Sequence, residues 1–130
     1  AYAPGGAGFW GATFDPSGLY RLNAAMHWRA SIGYASSEAM NRSHFLSQKF
    51  AQGLGDGPIS SEQLVVPIDD RHRGHFLTFR IGAAKTIAAA LHQEEVIVDA
   101  RDDRLRIGFG AYHDESDVDA LLERIHQLRW

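Results

Sequence analysis

Beyond residue 60 the chain alternates between period-2 and period-3.6 patterns, and between Ser17 and Gly53 the pattern is helical. His75-Phe76-Leu77-Thr78-Phe79-Arg80-Ile81 places Phe76, Thr78 and Arg80 on one side and Leu77, Phe79 and Ile81 on the other. That is the signature of a half-buried strand. Leu105, Ile107 and Phe109 alternate with Arg106, Gly108 and Gly110 in the same way. Shorter strands are predicted at Leu64-Val65-Val66-Pro67 and at Val96 to Asp99. Helical periodicity marks Gly82 to His92 and a last segment from near Ser116 through Val118, Leu121, Leu122, Ile125 and Leu128.

Upstream, Asp15-Pro16-Ser17-Gly18 is a turn that makes a good helix start. Leu19, Leu22, Met26, Arg29, Ala30 and Gly33 follow it as a stripe, and Trp28 reads as a packing residue. A second helix begins at the capping pair Ser36-Ser37 and ends near Gly53, with Phe45, Leu46, Lys49 and Phe50 on its inner face. The opening Ala1 to Gly11 is rich in Gly and Pro and reads as a loop whose Phe9 and Trp10, with Phe14, pack against a neighbouring surface. Residues 1–16 are thus expected to be an interdomain linker and 17–130 a single α+β domain. It would hold two N-terminal helices, then a small, mostly antiparallel sheet of about four strands packed with helices.

Length and composition narrow the function classes. A chain of 130 residues, 45% of them hydrophobic, has enough for one core and not for two. With 13 basic against 16 acidic residues and a net charge of −3, nucleic acid and anionic membranes are poor partners. No apolar run approaches a membrane span, and no secretory signal is visible. The absence of cysteine excludes disulfides, thiolate nucleophiles and cysteine-bound zinc, and fits a cytoplasmic protein.

Arg106 is the strongest candidate for chemistry. The alternation turns it away from the core on a strand that also carries Gly108 and Gly110, and a guanidinium there suits a planar carboxylate. The competing reading is a surface arginine paired with Asp102, Asp103 or Asp114. The cluster Asp69-Asp70-Arg71-His72-Arg73-Gly74-His75 has two arginines among its would-be ligands and reads as a charged connection rather than a metal site. His27, His44, His92 and His126 stand singly on helices. Tyr112 and His113, just past the Arg106 strand, could line the same cleft. Glu94-Glu95 and Asp102-Asp103 are adjacent pairs on turns, without the separation that paired-acid catalysis requires.

Three ordered segments carry a family resemblance. Arg73-Gly74-His75-Phe76-Leu77-Thr78 resembles the Arg-Gly-x-x-Leu-Ser/Thr strand of kynureninases. Val96-Ile97-Val98-Asp99-Ala100-Arg101 resembles their Val-Ile-x-Asp-x-Arg strand. Leu105-Arg106-Ile107-Gly108-Phe109-Gly110, continuing to Asp117-Val118, resembles the Ile-Arg-Ile segment and following helix of class V aminotransferase-fold enzymes. The chain is similar, then, to the small C-terminal domain of pyridoxal-phosphate enzymes of that class, nearest the kynureninases.

The resemblance implies that Arg106 grips the α-carboxylate of an amino-acid substrate. It also implies that Asp99 and Arg101 form a turn ion pair or support the next strand. The parent protein would be a homodimer, with the cofactor bound mainly by a large domain. Where many relatives have Gly-Thr-Pro this chain has Asp15-Pro16, which would repel a phosphate, so Ser17 and the helix start behind it are the remaining donors. Ala111-Tyr112-His113 replaces the Pro-Leu-Tyr turn of kynureninases, which keeps aminotransferase, desulfurase or lyase, and epimerase activities open. Only Lys49 and Lys85 are available as amines, neither in a strand–turn context, so this chain alone would not carry out pyridoxal chemistry. A free-standing module that binds a small anion or a protein partner is the reading from a different class.

Overall fold

A computed structural model describes residues 4–6, 15–34, 36–70, 72–110 and 112–128. The expected packing of Phe9, Trp10 and Phe14 lies outside the described residues. The chain divides into two compact units, Ala1–Ala35 and Ser36–Trp130.

The N-terminal unit contains α1 (Ser17–Ser31). Asp15 accepts hydrogen bonds from the Ser17 amide at 2.9 Å and from the Ser17 hydroxyl at 2.8 Å, which fixes the helix start. At the other end Gly33 adopts φ 71°, donating to the Ala30 carbonyl while Tyr34 donates to that of Arg29. This left-handed turn favours glycine, and Gly33 therefore closes the helix instead of continuing its stripe. No residue of α1 is buried. Trp28, expected to pack, is 62% exposed, because the described part of this unit has no second element against which an apolar stripe could close.

The second unit is α+β. It runs α2 (Ser36–Gly53), a 3₁₀ turn (Ser61–Gln63), β1 (Phe76–Arg80), α3 (Ala84–Gln93), β2 (Asp99–Arg101), β3 (Arg104–Gly108) and α4 (Glu115–Gln127). The sheet is antiparallel with order β1-β3-β2, three strands where about four were expected. The missing one is Leu64 to Pro67. It makes only a single bridge, Leu64 with Phe79, because the 3₁₀ turn ends immediately before it and Pro67 has no amide to donate. Pairing of the Val96 segment begins only at Asp99, so Val96 to Val98 leave the ladder.

The core lies between one sheet face and the helices. Leu77 and Phe79 of β1 and Leu105 and Ile107 of β3 meet Leu46 and Phe50 of α2, Ile87 and Leu91 of α3, and Val118, Leu121 and Ile125 of α4. Phe50 packs edge-on to Phe79 at 6.3 Å and tilted against Phe109 at 5.7 Å. Two residues expected on the inner face of α2 lie off it, with Lys49 half-buried at its edge. Phe45 is exposed, and Lys49 reaches Asp119 at 2.8 Å and Glu115 at 3.4 Å on α4. The i, i+4, i+7 set that faces inward is instead Ser43, Ser47 and Phe50, with Leu46 and Ala51 beside it. Asp114 starts α4 with a reciprocal capping box, accepting from the Ser116 and Asp117 amides while its own amide donates to Asp117.

Candidate functional site: the outer face of the sheet

Strand pairing dictates which side chains share the face turned away from the core. Thr78, Arg106 and Asp99 form one cross-strand row, and Arg80, Arg104 and Arg101 the next. Phe76 and Gly108 are opposite each other at the end of β1 and β3. Four arginines thus meet only two aspartates whose bonds hold them: Asp99 pairs with Arg106 and with Arg101, at 3.3 Å from the latter, and Asp103 pairs with Arg104 and with Arg80, at 4.0 Å from the latter.

Arg106 is the centre of this face. Its side chain is 31% exposed, Nη2 donates to Asp99 Oδ2, and its guanidinium carbon lies 5.5 Å from the centroid of the Phe76 ring. It makes no other hydrogen bond to a described residue. An open depression of about 520 Å³ adjoins it, lined by Phe76, Ile97, Val98, Asp99, Arg106 and Gly108. Phe76 is 43% and Ile97 86% exposed, so an apolar wall stands beside a charged edge. Burial acts to raise the Asp99 carboxyl, but the Arg106 hydrogen bond and the charges of Arg101 and Arg106 outweigh it and hold the group below the usual carboxylate range.

Gly108 sits at a close approach between β1 and β3. A Cβ there would sit 3.2 Å from Phe76 Cβ and 3.3 Å from the His75 carbonyl oxygen. Gly110, by contrast, is covered by the Tyr112 ring, which a Cβ would meet at 2.9 Å. Of the two glycines, only Gly108 lines the depression beside Arg106.

Tyr112 and His113 do not line the Arg106 depression. His113 accepts from the Gly110 amide through Nδ1 at 2.8 Å and packs against Phe109 and Tyr112. It lines a separate hollow of about 230 Å³ with Asp117 and Arg124, which shares Ile97, Val98 and Gly108 with the first. Tyr112 is 84% exposed. The Arg73-Gly74 motif is a brace: Arg73 contacts His44 Nδ1 on α2 at 3.0 Å and donates to the carbonyls of Gly74 and Phe76 at 3.1 and 3.4 Å. Among the described residues no three metal-capable side chains converge, and no helix is long and apolar enough to cross a membrane.

Sequence reasoning missed Asp99 as the partner of Arg106, naming Asp102, Asp103 and Asp114 instead. The signal was present. A two-residue turn at Asp102-Asp103 places Arg101 opposite Arg104, Ala100 opposite Leu105 and Asp99 opposite Arg106.

A small α+β domain with helices on one sheet face and a row of arginines paired with aspartates on the other is the class that fold and face define. The family model described as kynureninase C-terminal domain matches residues 39–125, well over half of the chain, and the chain belongs to that family. No curated protein matches it.

Kynureninases depend on pyridoxal phosphate, and the described residues do not make a site for that cofactor. The Asp119 hydrogen bond holds the Lys49 ammonium above the ordinary lysine value, whereas a Schiff base needs a neutral amine. Lys85 is exposed on α3, 3.6 Å from Asp102. Ser17 offers no free donor to a phosphate, because Asp15 takes both its amide and its hydroxyl.

Proposed function

We propose that this chain is the substrate-closing C-terminal domain of a pyridoxal-phosphate enzyme acting on an amino acid, with C–C hydrolysis of kynurenine type as its reaction. In this reading Arg106 binds the substrate α-carboxylate. The cofactor and its lysine belong to a large domain of the same protein, which works as a homodimer in the cytoplasm. The observation that carries the reading is the placement of Arg106. It stands in an open depression with only one guanidinium nitrogen engaged, inside the segment that matches the kynureninase domain.

The division of labour follows from the chemistry available. The cofactor, when bound elsewhere in the protein, supplies the electron sink for cleavage at the amino acid's carbons. This domain contributes binding and orientation. A planar fork accepts a carboxylate in two parallel hydrogen bonds, which fixes the rotation of the substrate as well as its position. Phe76 and Ile97 would exclude water from one side of that contact and strengthen it. Aminotransferase, desulfurase or epimerase chemistry would need the same carboxylate contact, so the reaction type rests on the family match.

The test is Arg106→Ala in the full-length enzyme. A desolvated charged contact of this kind contributes about 2–4 kcal/mol, so KM for the amino acid is expected to rise roughly 30- to 1,000-fold. The absorbance of the bound cofactor stays unchanged, because Arg106 does not hold it. Unaltered kinetics would remove Arg106 from the site.

A further inference from the structure

We propose that Asp99 and Phe76 together form a positioning device for Arg106. Asp99 anchors the guanidinium through one N–H of Nη2, Phe76 supports its face, and the remaining N–H groups are left for the ligand. This rests on the reading of Arg106 as a carboxylate site and deepens it.

The geometry carries the argument. Asp99 is the directly opposed cross-strand partner of Arg106 and the first residue of β2 to pair with β3. Its position is set by the ladder, not by a flexible connection. It engages Arg106 through Nη2 alone, which leaves Nη1 and Nε without a hydrogen bond to any described residue. Phe76 stands on the other neighbouring strand, two positions from the residue opposite Arg106, and its ring lies under the guanidinium carbon at 5.5 Å. Arginine loses much side-chain freedom when it grips a ligand, and one already held by two strands loses that freedom on folding instead.

Asp99 could equally be imagined as a rival anion that the ligand must displace. The surrounding charge argues for support. Asp99 Oδ2 also accepts a charged contact from Arg101, so its charge is divided between two arginines. With Arg80 and Arg104 in the adjoining row against Asp103, the face keeps an excess of positive charge while Asp99 is ionised. The negative charge that orients the guanidinium therefore does not cancel the field that draws a carboxylate in.

The experiment is a titration of the full chain with benzoate, a planar carboxylate on an aromatic ring, followed by NMR of the arginine Nε–H groups and backbone amides. Asp99→Asn keeps the shape of the side chain and removes its charge, and Phe76→Leu keeps an apolar wall without the ring. Each is expected to weaken benzoate about tenfold and to release the Arg106 Nε–H signal into fast averaging. Asp99→Glu restores part of both. The thermal midpoint hardly moves, since exposed ion pairs contribute little to stability. Equal or tighter binding by Asp99→Asn would make Asp99 a rival anion and overturn the proposal. Arg106→Ala separates the two levels. If it abolishes binding while the Asp99 and Phe76 variants retain it, only the positioning role is lost. If it leaves binding unaltered, or if the unaltered chain does not bind benzoate, the carboxylate site itself is wrong.

Discussion

The two faces of one sheet use the same strands for opposite purposes. On the inner face Leu77, Phe79, Leu105 and Ile107 are buried against three helices and gain stability by leaving water. On the outer face Phe76, Arg80, Arg101 and Arg106 stay in reach of solvent, the arginines held by Asp99 and Asp103 and Arg106 also by the Phe76 ring. Alternating residues of β3 therefore answer to different constraints. Leu105 and Ile107 are fixed by packing volume, Arg104 and Arg106 by the placement of two aspartates. The lesson is that stability and recognition can be separated here one residue apart.

The most severe way to break that separation is from the inside. Phe79→Ala removes a fully buried ring that touches Phe50, and is expected to cost about 3–5 kcal/mol of unfolding free energy. Chemical denaturation measures it. Arg106→Ala is the complementary cut. It should leave the denaturation midpoint nearly in place while abolishing carboxylate binding, and a large stability loss would mean that the outer face is structural after all. A third test uses acid. Hydrogen bonds from Ser116 and from the Asp117 amide hold the Asp114 carboxyl below its usual range. A depressed carboxylate stabilises the fold above its unfolded pKa and loses that contribution as pH falls through its folded value. Asp114→Ala should therefore lower the thermal midpoint at neutral pH, with the difference from the unaltered chain closing as the solution is acidified. Asp99 is depressed as well, so the hold on Arg106 should loosen as its carboxyl protonates in acid, which the Arg106 Nε–H signal of the unliganded chain reads. The mildest test is Glu95→Gly. Glu95 ends α3 at φ 60°, a conformation that costs an L-residue about 1 kcal/mol, and glycine there should recover part of it.

Much of the inner face was legible in the sequence. The alternation in Phe76 to Ile81 and Leu105 to Phe109 gives both long strands, and the stripe Val118, Leu121, Ile125 gives α4. The outer face was legible only in part. Alternation turns Arg106 outward, but its partners depend on register, which no single strand encodes. Asp99 was hidden because the whole of Val96 to Asp99 reads as a strand, whereas only its last residue pairs. Lys49 was misplaced for a related reason. Helical spacing alone puts it beside Phe50, and Asp119 and Glu115, arriving from α4, hold its ammonium at the edge of the core. Burial patterns are written within a segment, while charge pairs are written between segments.

The order β1-β3-β2 has a kinetic meaning. β2 and β3 are joined by a turn of two residues, so the Asp99–Arg106 contact closes a short loop, while β1 reaches β3 only across the whole of α3. Local hairpins form on the microsecond scale, and distant pairings wait for the larger loop to close. On this account the charged anchor of the face assembles in the early hairpin, and its aromatic support docks only after the rate-limiting step. Substitutions at Ala100 and Leu105 would then slow folding, whereas those at Phe76 would chiefly hasten unfolding, a contrast that stopped-flow rate measurements read directly.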